Sequence, residues 1–128
     1  MAYYDTIYAV KGDTLPEVQL TLRDSNTAAS GQTLDEDDET TWAPLDITNA
    51  TILVKLRVLG EDTLKATITA TKVSPNTDGK VLFRFADSLG ASVLTEEGIY
   101  EGEVELTYTD GNIHSVYDML RINVRDDF

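Results

Sequence analysis

Apolar and polar residues alternate with a period of two through most of this chain, and turn residues interrupt the alternation at short intervals. In Glu17-Val18-Gln19-Leu20-Thr21-Leu22-Arg23 the side chains of Val18, Leu20 and Leu22 share one face, and Gln19, Thr21 and Arg23 share the other. That is the pattern of a half-buried strand. It recurs in Thr51 to Val58 (Ile52, Val54, Leu56, Val58), in Thr63 to Val73 (Leu64, Ala66, Ile68, Ala70) and in Lys80 to Ala86 (Val81, Phe83, Phe85). Asp5 to Val10 reads as a short edge strand, closed by Lys11-Gly12-Asp13-Thr14 ahead of Pro16. Gly60-Glu61-Asp62 and Ser74-Pro75-Asn76-Thr77-Asp78-Gly79 are turns, because proline pre-sets one turn dihedral and glycine supplies positive φ. Only Asp87 to Leu94 has the makings of a helical turn, and it is too short to change an all-β fold class.

The end of the chain predicts a hairpin. Tyr100, Gly102, Val104, Leu106 and Tyr108 share a face opposite Glu101, Glu103 and Glu105, and Asp110-Gly111 supplies a tight turn. A two-residue loop there pairs Tyr108 with Ile113 and turns Ser115 and Tyr117 inward, whereas Leu120, Ile122 and Val124 are in the opposite phase. The expectation is therefore a β-bulge near Asp118-Met119, which also sets Arg121 and Arg125 against the glutamate stripe. Cross-strand opposite charges of this kind contribute about 0.2–1 kcal/mol each. Thr95-Glu96-Glu97-Gly98-Ile99-Tyr100, entering the strand, resembles the tyrosine corner of immunoglobulin-like sandwiches, in which the hydroxyl ties down a neighbouring loop. The expected fold is an all-β, immunoglobulin-like antiparallel β-sandwich, one domain over residues 1–128. Periodicity is lost only in 27–44, which carries the run Asp35-Glu36-Asp37-Asp38-Glu39 and is expected to be a long acidic loop inserted into that domain.

Composition narrows the function classes. A chain of 128 residues with 41% hydrophobic and 26% charged residues supports one two-layer core. The absence of cysteine removes disulfides, thiolate metal sites and a cysteine nucleophile. A formal net charge of -13 repels phosphate backbones and anionic lipid, so neither nucleic acid nor a membrane is an expected partner. The first residues lack the basic and apolar regions of a signal peptide, so synthesis in the cytoplasm is expected.

No catalytic constellation emerges. His114 is the sole histidine, and its neighbour Ser115 projects from the other face of the same strand, so the two cannot act as base and nucleophile. The Asp35 to Glu39 run lacks the ordered ligands of an EF-hand loop and reads as a solvated loop. Glu101, Glu103 and Glu105 alternate on a strand and face water or a basic partner rather than forming a glycosidase pair. Asn49-Ala50-Thr51 matches a glycosylation acceptor without a secretory context. No enzyme activity, cofactor or metal is expected. Tyr3, Tyr4 and Trp42 lie outside the strong strands and either dock a partner or cover the ends of the sandwich. With Glu101, Glu103, Glu105, Arg121 and Arg125 they form the candidate interface set.

The order Gly12-Asp13-Thr14-Leu15-Pro16, Leu20-Thr21-Leu22-Arg23-Asp24, Leu45-Asp46-Ile47-Thr48-Asn49-Ala50-Thr51 and Lys55-Leu56-Arg57 resembles the immunoglobulin-like N-terminal domain of tailed-phage upper-baseplate proteins. Asp78-Gly79-Lys80-Val81-Leu82-Phe83, Gly98-Ile99-Tyr100-Glu101-Gly102-Glu103 and Thr109-Asp110-Gly111 follow in the family's order. The chain departs from the family in its longer acidic loop and in ending, at Asp126-Asp127-Phe128, without a stalk or receptor-binding region. The resemblance implies a non-enzymatic virion part, in multiple symmetric copies, that binds other virion proteins in the tail, baseplate or neck. A capsid decoration protein and a carbohydrate-binding sandwich with Trp42 and Tyr117 on its platform are the alternatives.

Overall fold

The computed structural model describes residues 6–116 and 119–128. Eleven strands occupy them: β1 (Ile7–Val10), β2 (Val18–Thr21), β3 (Arg23–Ala28), β4 (Trp42–Pro44), β5 (Ala50–Val58), β6 (Ala66–Thr69), β7 (Thr71–Lys72), β8 (Lys80–Phe83), β9 (Gly98–Tyr108), β10 (Ile113–Ser115) and β11 (Leu120–Arg125). The larger sheet runs β1-β11-β9-β5-β6, with β10 also on β9. The smaller runs β2-β8-β7, and β3-β4 form a separate hairpin. β1 is parallel to β11, and the other ladders are antiparallel. No helix among the described residues is long and apolar enough to cross a membrane.

The two sheets face each other because their alternating apolar residues have nowhere else to leave water. Leu20 and Leu22, Ile52, Val54 and Leu56, Val81, Phe83 and Phe85, Tyr100, Val104 and Leu106, and Leu120, Ile122 and Val124 all join one buried core. The Phe83 and Phe85 rings meet edge-on, centroids 5.5 Å apart. The Tyr100 hydroxyl, on a fully buried ring, donates to Glu96 O at 2.7 Å and accepts from Glu96 N–H at 3.3 Å. This is the tyrosine corner, and the molecule is a β-sandwich of the immunoglobulin-like type.

Three expectations are corrected. The stretch Thr63 to Val73 is two strands: β6 pairs with β5, and the chain then crosses to the smaller sheet at Ala70, so that β7 pairs with β8. Residues 87–94 contain no helix. The Asp87 carboxylate accepts from Leu89 N–H and Ala91 N–H and closes a turn, while Val93 and Leu94 drop into the core. In the last hairpin Ile113 pairs with Thr107, not Tyr108, because Tyr108 N–H donates to Asn112 O and Gly111 N–H to Tyr108 O.

That register leaves Ile113 65% exposed and puts Val116 inward, in phase with Leu120, Ile122 and Val124. Val116 bonds to Val104, and Leu120 then pairs with Gly102, so four residues on one side advance two on the other. Two extra residues preserve the phase, and the one-residue slip inferred from the sequence does not arise. The bulge expected at Asp118-Met119 falls partly on Asp118, outside the described residues.

Two glycines are required by their neighbours. Gly79 has φ +68°, and a Cβ there would lie 2.5 Å from Leu22 O and 3.0 Å from Leu45 O. Gly102 sits in register between Leu56 and Leu120, whose side chains fill the space in front of it at 3.1–3.3 Å from where a Cβ would stand. Gly79→Ala should lower unfolding free energy by more than about 2 kcal/mol, since a left-handed residue with a side chain already costs roughly 1–2 kcal/mol and backbone oxygens cannot move aside. Gly102→Ala meets side-chain atoms of Leu56 and Leu120 at 3.1–3.3 Å rather than backbone oxygens at 2.5–3.0 Å, at a backbone conformation open to any residue, and should cost less. Chemical denaturation of both variants checks the ranking, and equal losses would contradict it.

Candidate functional site

The acidic run lies in a loop as expected, residues 29–41, but the loop is ordered and closes a hairpin of β3 and β4. β3 leaves the end of β2 and β4 returns, with Arg23 opposite Pro44 and Asp24 opposite Ala43. Its far end folds around two side chains. Trp42 Nε1 donates to Asp35 O at 2.9 Å, and the Thr41 hydroxyl donates to Asp38 O at 2.7 Å and accepts from Asp35 N–H at 3.0 Å. Asp38 begins a one-turn 3₁₀ helix, Glu39–Thr41, and its carboxylate accepts from Thr40 N–H. Arg23 reaches Glu39 O and Trp42 O at 3.5 Å, bracing the base. Local side-chain to backbone bonds thus replace the alternation that marks the other strands.

The hairpin lies beside the turn of the last hairpin. The Tyr108 hydroxyl donates to Asp46 O at 3.2 Å, Thr109 N–H donates to Asn49 O at 3.0 Å, and Asp24, Asp46 and Asp110 all raise the Tyr108 pKa, although burial is the larger cause. Asp24 also feels the charge of His114 on β10. The base of the hairpin at Asp24, the segment 45–49 and the turn 109–112 therefore lie together at one end of the sandwich, where Asp46 and Asp110 are exposed. The outer part of the hairpin, at Glu39 and Trp42, lies beside Ile7 of β1 and the strand β2. Asp35, Glu36, Asp37 and Asp38 are exposed on it, as is Leu34 at 40%.

Hydrogen bonds hold several of these carboxylates below the usual range. The backbone N–H of Asn26 does so for Asp24, the Thr40 hydroxyl for Asp38 and the Thr48 hydroxyl for Asp46. Among the described residues no group of three or more histidine, aspartate or glutamate side chains is arranged to hold a metal ion.

The candidate interface residues do not form one patch. Tyr3 and Tyr4 lie outside the described residues, as does Tyr117. Trp42 is 3% exposed, so it anchors the acidic hairpin from within and offers no flat ring to a partner or a sugar. Glu101, also buried, binds Arg57 at 3.1 Å, and Glu105 binds Lys55 at 2.8 Å. Glu103 is exposed between them. Arg121 stands opposite Glu101 in the β11-β9 ladder. Arg125 leaves the stripe altogether, with its guanidinium 5.0 Å over the Phe128 ring and a bond to Asp126 O.

The stripe is thus largely neutralised by β5, whose cations the sequence reading did not single out. Their apolar neighbours Val54 and Leu56 place Lys55 and Arg57 on the outer face, which was the available signal. His114 is half-buried, because the observed register turns it inward, and Ser115 faces away from it.

No family model matches the chain, and no curated protein matches it. Among solved structures, CopC from Methylosinus trichosporium OB3b is similar over 96% of this chain and 88% of that one, at 8% identity and a TM-score of 0.40. Murine CRIg is similar over 94% of this chain and 92% of that one, at 11% identity and a TM-score of 0.35. Likenesses this distant carry nothing about chemistry to the present chain, whose fold rests on its own strand order and corner.

Two outcomes follow from the site. Because Arg23 and Pro44 are direct cross-strand partners, replacing residues 24–43 by Asn-Gly should leave a soluble domain that unfolds cooperatively. The loss should be about 3–5 kcal/mol, as expected for removing a buried tryptophan, and calorimetry checks it. The carboxylates of Asp24 and Asp38 have folded pKa values below their unfolded ones, so the unfolded chain takes up more protons on acidification. Their contribution is present at neutral pH and is lost as pH falls below about 4. Emission from Trp42, the sole tryptophan, should therefore shift red below that pH, and less so in Asp24→Asn/Asp38→Asn.

Proposed function

We propose that this chain is a non-enzymatic structural protein of a tailed-phage particle. In this reading it is an immunoglobulin-like adaptor in the tail, baseplate or neck that binds neighbouring virion proteins through the end of the sandwich bearing the β3-β4 hairpin. The observation that carries the docking part is the hairpin itself, a self-bonded excursion with exposed carboxylates set on a rigid scaffold. Loops held by a rigid core are where binding residues concentrate. The exposed carboxylates favour a basic partner surface and speed association, while Leu34 on the same hairpin supplies desolvated contact.

The phage setting rests on the ordered landmarks of the sequence, some of which lie in strands and others in turns and crossings of the fold. Gly12 follows β1, Leu45 to Thr51 re-enter the core at β5, Asp78-Gly79 makes the close approach to Leu22, and Thr109-Asp110-Gly111 forms the last turn. Burial of Trp42 speaks against the carbohydrate platform.

Cryo-EM localisation on purified particles, with copy number from quantitative mass spectrometry, tests the setting. A small symmetric number at the tail is the expected result. Hundreds of copies over the head would make it a decoration protein, and absence from particles would end the phage reading. Neutralising Asp35 to Glu39 as amides should slow assembly and flatten its salt dependence. Unchanged assembly would remove the electrostatic part.

A further inference from the structure

The smaller sheet ends at β2, and among the described residues no strand pairs with its outer edge. Leu22 N–H donates to Gly79 O, and Leu20 and Val18 continue that register opposite Val81 and Phe83. By the alternation of an antiparallel ladder, Val18 and Leu20 turn their backbone groups toward β8, and Gln19 and Thr21 turn theirs away from it. On that side a groove of about 340 Å³ runs between the start of β1 and β2, with Ile7, Val18, Leu20 and Trp42 in its lining, and reaches Arg23 and Glu39. Leu20 and Trp42 are buried, so the floor is apolar.

Thr6 also lines this groove, so the chain that precedes it starts there. β11 begins at Leu120, yet β1 joins it only at Ile7, opposite Ile122. The backbone has therefore turned away from β11 by Thr6. Beyond Val10, Gly12 N–H donates to Leu94 O and Thr14 O accepts from Phe85 N–H, and β2 then starts at Val18 opposite Phe83. The start of β2 thus lies at the finish of β1, and the two strands run in opposite directions. A backward extension of β1 past Thr6 follows β2 toward Arg23 and the hairpin. Gln19 to Arg23 is about 13 Å along a strand, and five extended residues reach about 17 Å.

From the groove, the edge and this path we infer that residues 1–5, which lie outside the described residues, occupy the groove and add an antiparallel strand to β2. An open edge pairs with whatever strand reaches it, and a segment tethered at the groove's mouth has a far higher effective concentration there than any separate chain. A second copy is further disfavoured by the net charge of -13. In β1, Ala9 is buried and Tyr8 is 72% exposed. Continued backward, that alternation sends Tyr3 into the groove on the side of Ile7 and leaves Tyr4 outside with Tyr8. A dry cavity of about 150 Å³ accepts a benzene ring, so the groove has room for the Tyr3 ring beside Leu20 and Trp42. The two tyrosines then divide their tasks: Tyr3 seals the sandwich beneath the hairpin, and Tyr4 stays available to a partner. The inference does not depend on the phage assignment.

The test uses the full chain, which has no cysteine of its own, so that Ala2→Cys carries a nitroxide label at one place. NMR should show the amide signals of Arg23, Glu39 and Trp42 weakened at least tenfold relative to the reduced label, with no change on dilution. Tyr3→Ala should speed amide exchange at Gln19 at least tenfold, and Tyr4→Ala should leave it unchanged. Weakening at Leu120 and Arg121 instead would place the segment on β11, weakening that fades on dilution would place a second copy's segment in the groove, and no weakening at the three amides would leave the groove empty. Each of these overturns the inference, as would equal effects of the two tyrosine variants on Gln19.

Discussion

Three backbone segments meet at one clasp, and both the core and the acidic hairpin depend on it. Leu22 N–H donates to Gly79 O at 2.7 Å, and Leu45 N–H donates to Leu22 O at 2.9 Å. The clasp ties the end of β2 to the turn before β8 and to the point where the chain returns from the hairpin. It forms only because Gly79 adopts a left-handed backbone and offers no side chain to the Leu22 and Leu45 backbones. On one side of it lie the buried side chains of Leu22 and Leu45; on the other, the chain is free to make a long excursion without disturbing the sheets. Loop-closure entropy rises slowly with length, so an insertion whose ends are pinned this closely is tolerated.

β9 organises the rest. It pairs with β5 along one edge and with β11 and β10 along the other, and its inward face carries Tyr100, Val104 and Leu106. Gly102 leaves a gap on that face so that Leu56 and Leu120 can close over it from both sides. The outward face carries the glutamates, and Lys55 and Arg57 on β5 hold two of them. The same strand therefore seals the core on one side and satisfies its own charge on the other, leaving recognition to other elements.

The alternating strands, the inward phenylalanines and the tyrosine corner were legible because period-two patterning and Gly-x-Tyr act locally. The hairpin was not, since its order comes from Trp42 and Thr41 reaching back to Asp35 and Asp38, contacts that composition reads as a polar loop. The register of the final turn was missed for a related reason. Asp110-Gly111 suits a two-residue loop, but Tyr108 N–H finds Asn112 O, and one residue of difference exchanges Ile113 for His114 on the inner face. Trp42 and Arg125 were named for their residue types, and their surroundings give each a structural task instead. The crossing at Ala70 was invisible because the sequence from Thr63 to Val73 alternates without a break, and only three-dimensional pairing reveals that the strand changes sheets.

Central to this account is a rigid sandwich that carries the acidic hairpin as a separately ordered element above the clasp. Native-state hydrogen exchange across a denaturant series tests that most directly. The amides of Leu22, Leu45 and Val54 should exchange only through global unfolding. Those of Ala29, Gln32 and Thr41, which close the hairpin, should exchange through a smaller local opening that depends little on denaturant. If the hairpin amides instead share the free energy and denaturant dependence of the core, the hairpin is part of the core, and the division between scaffold and docking element is wrong.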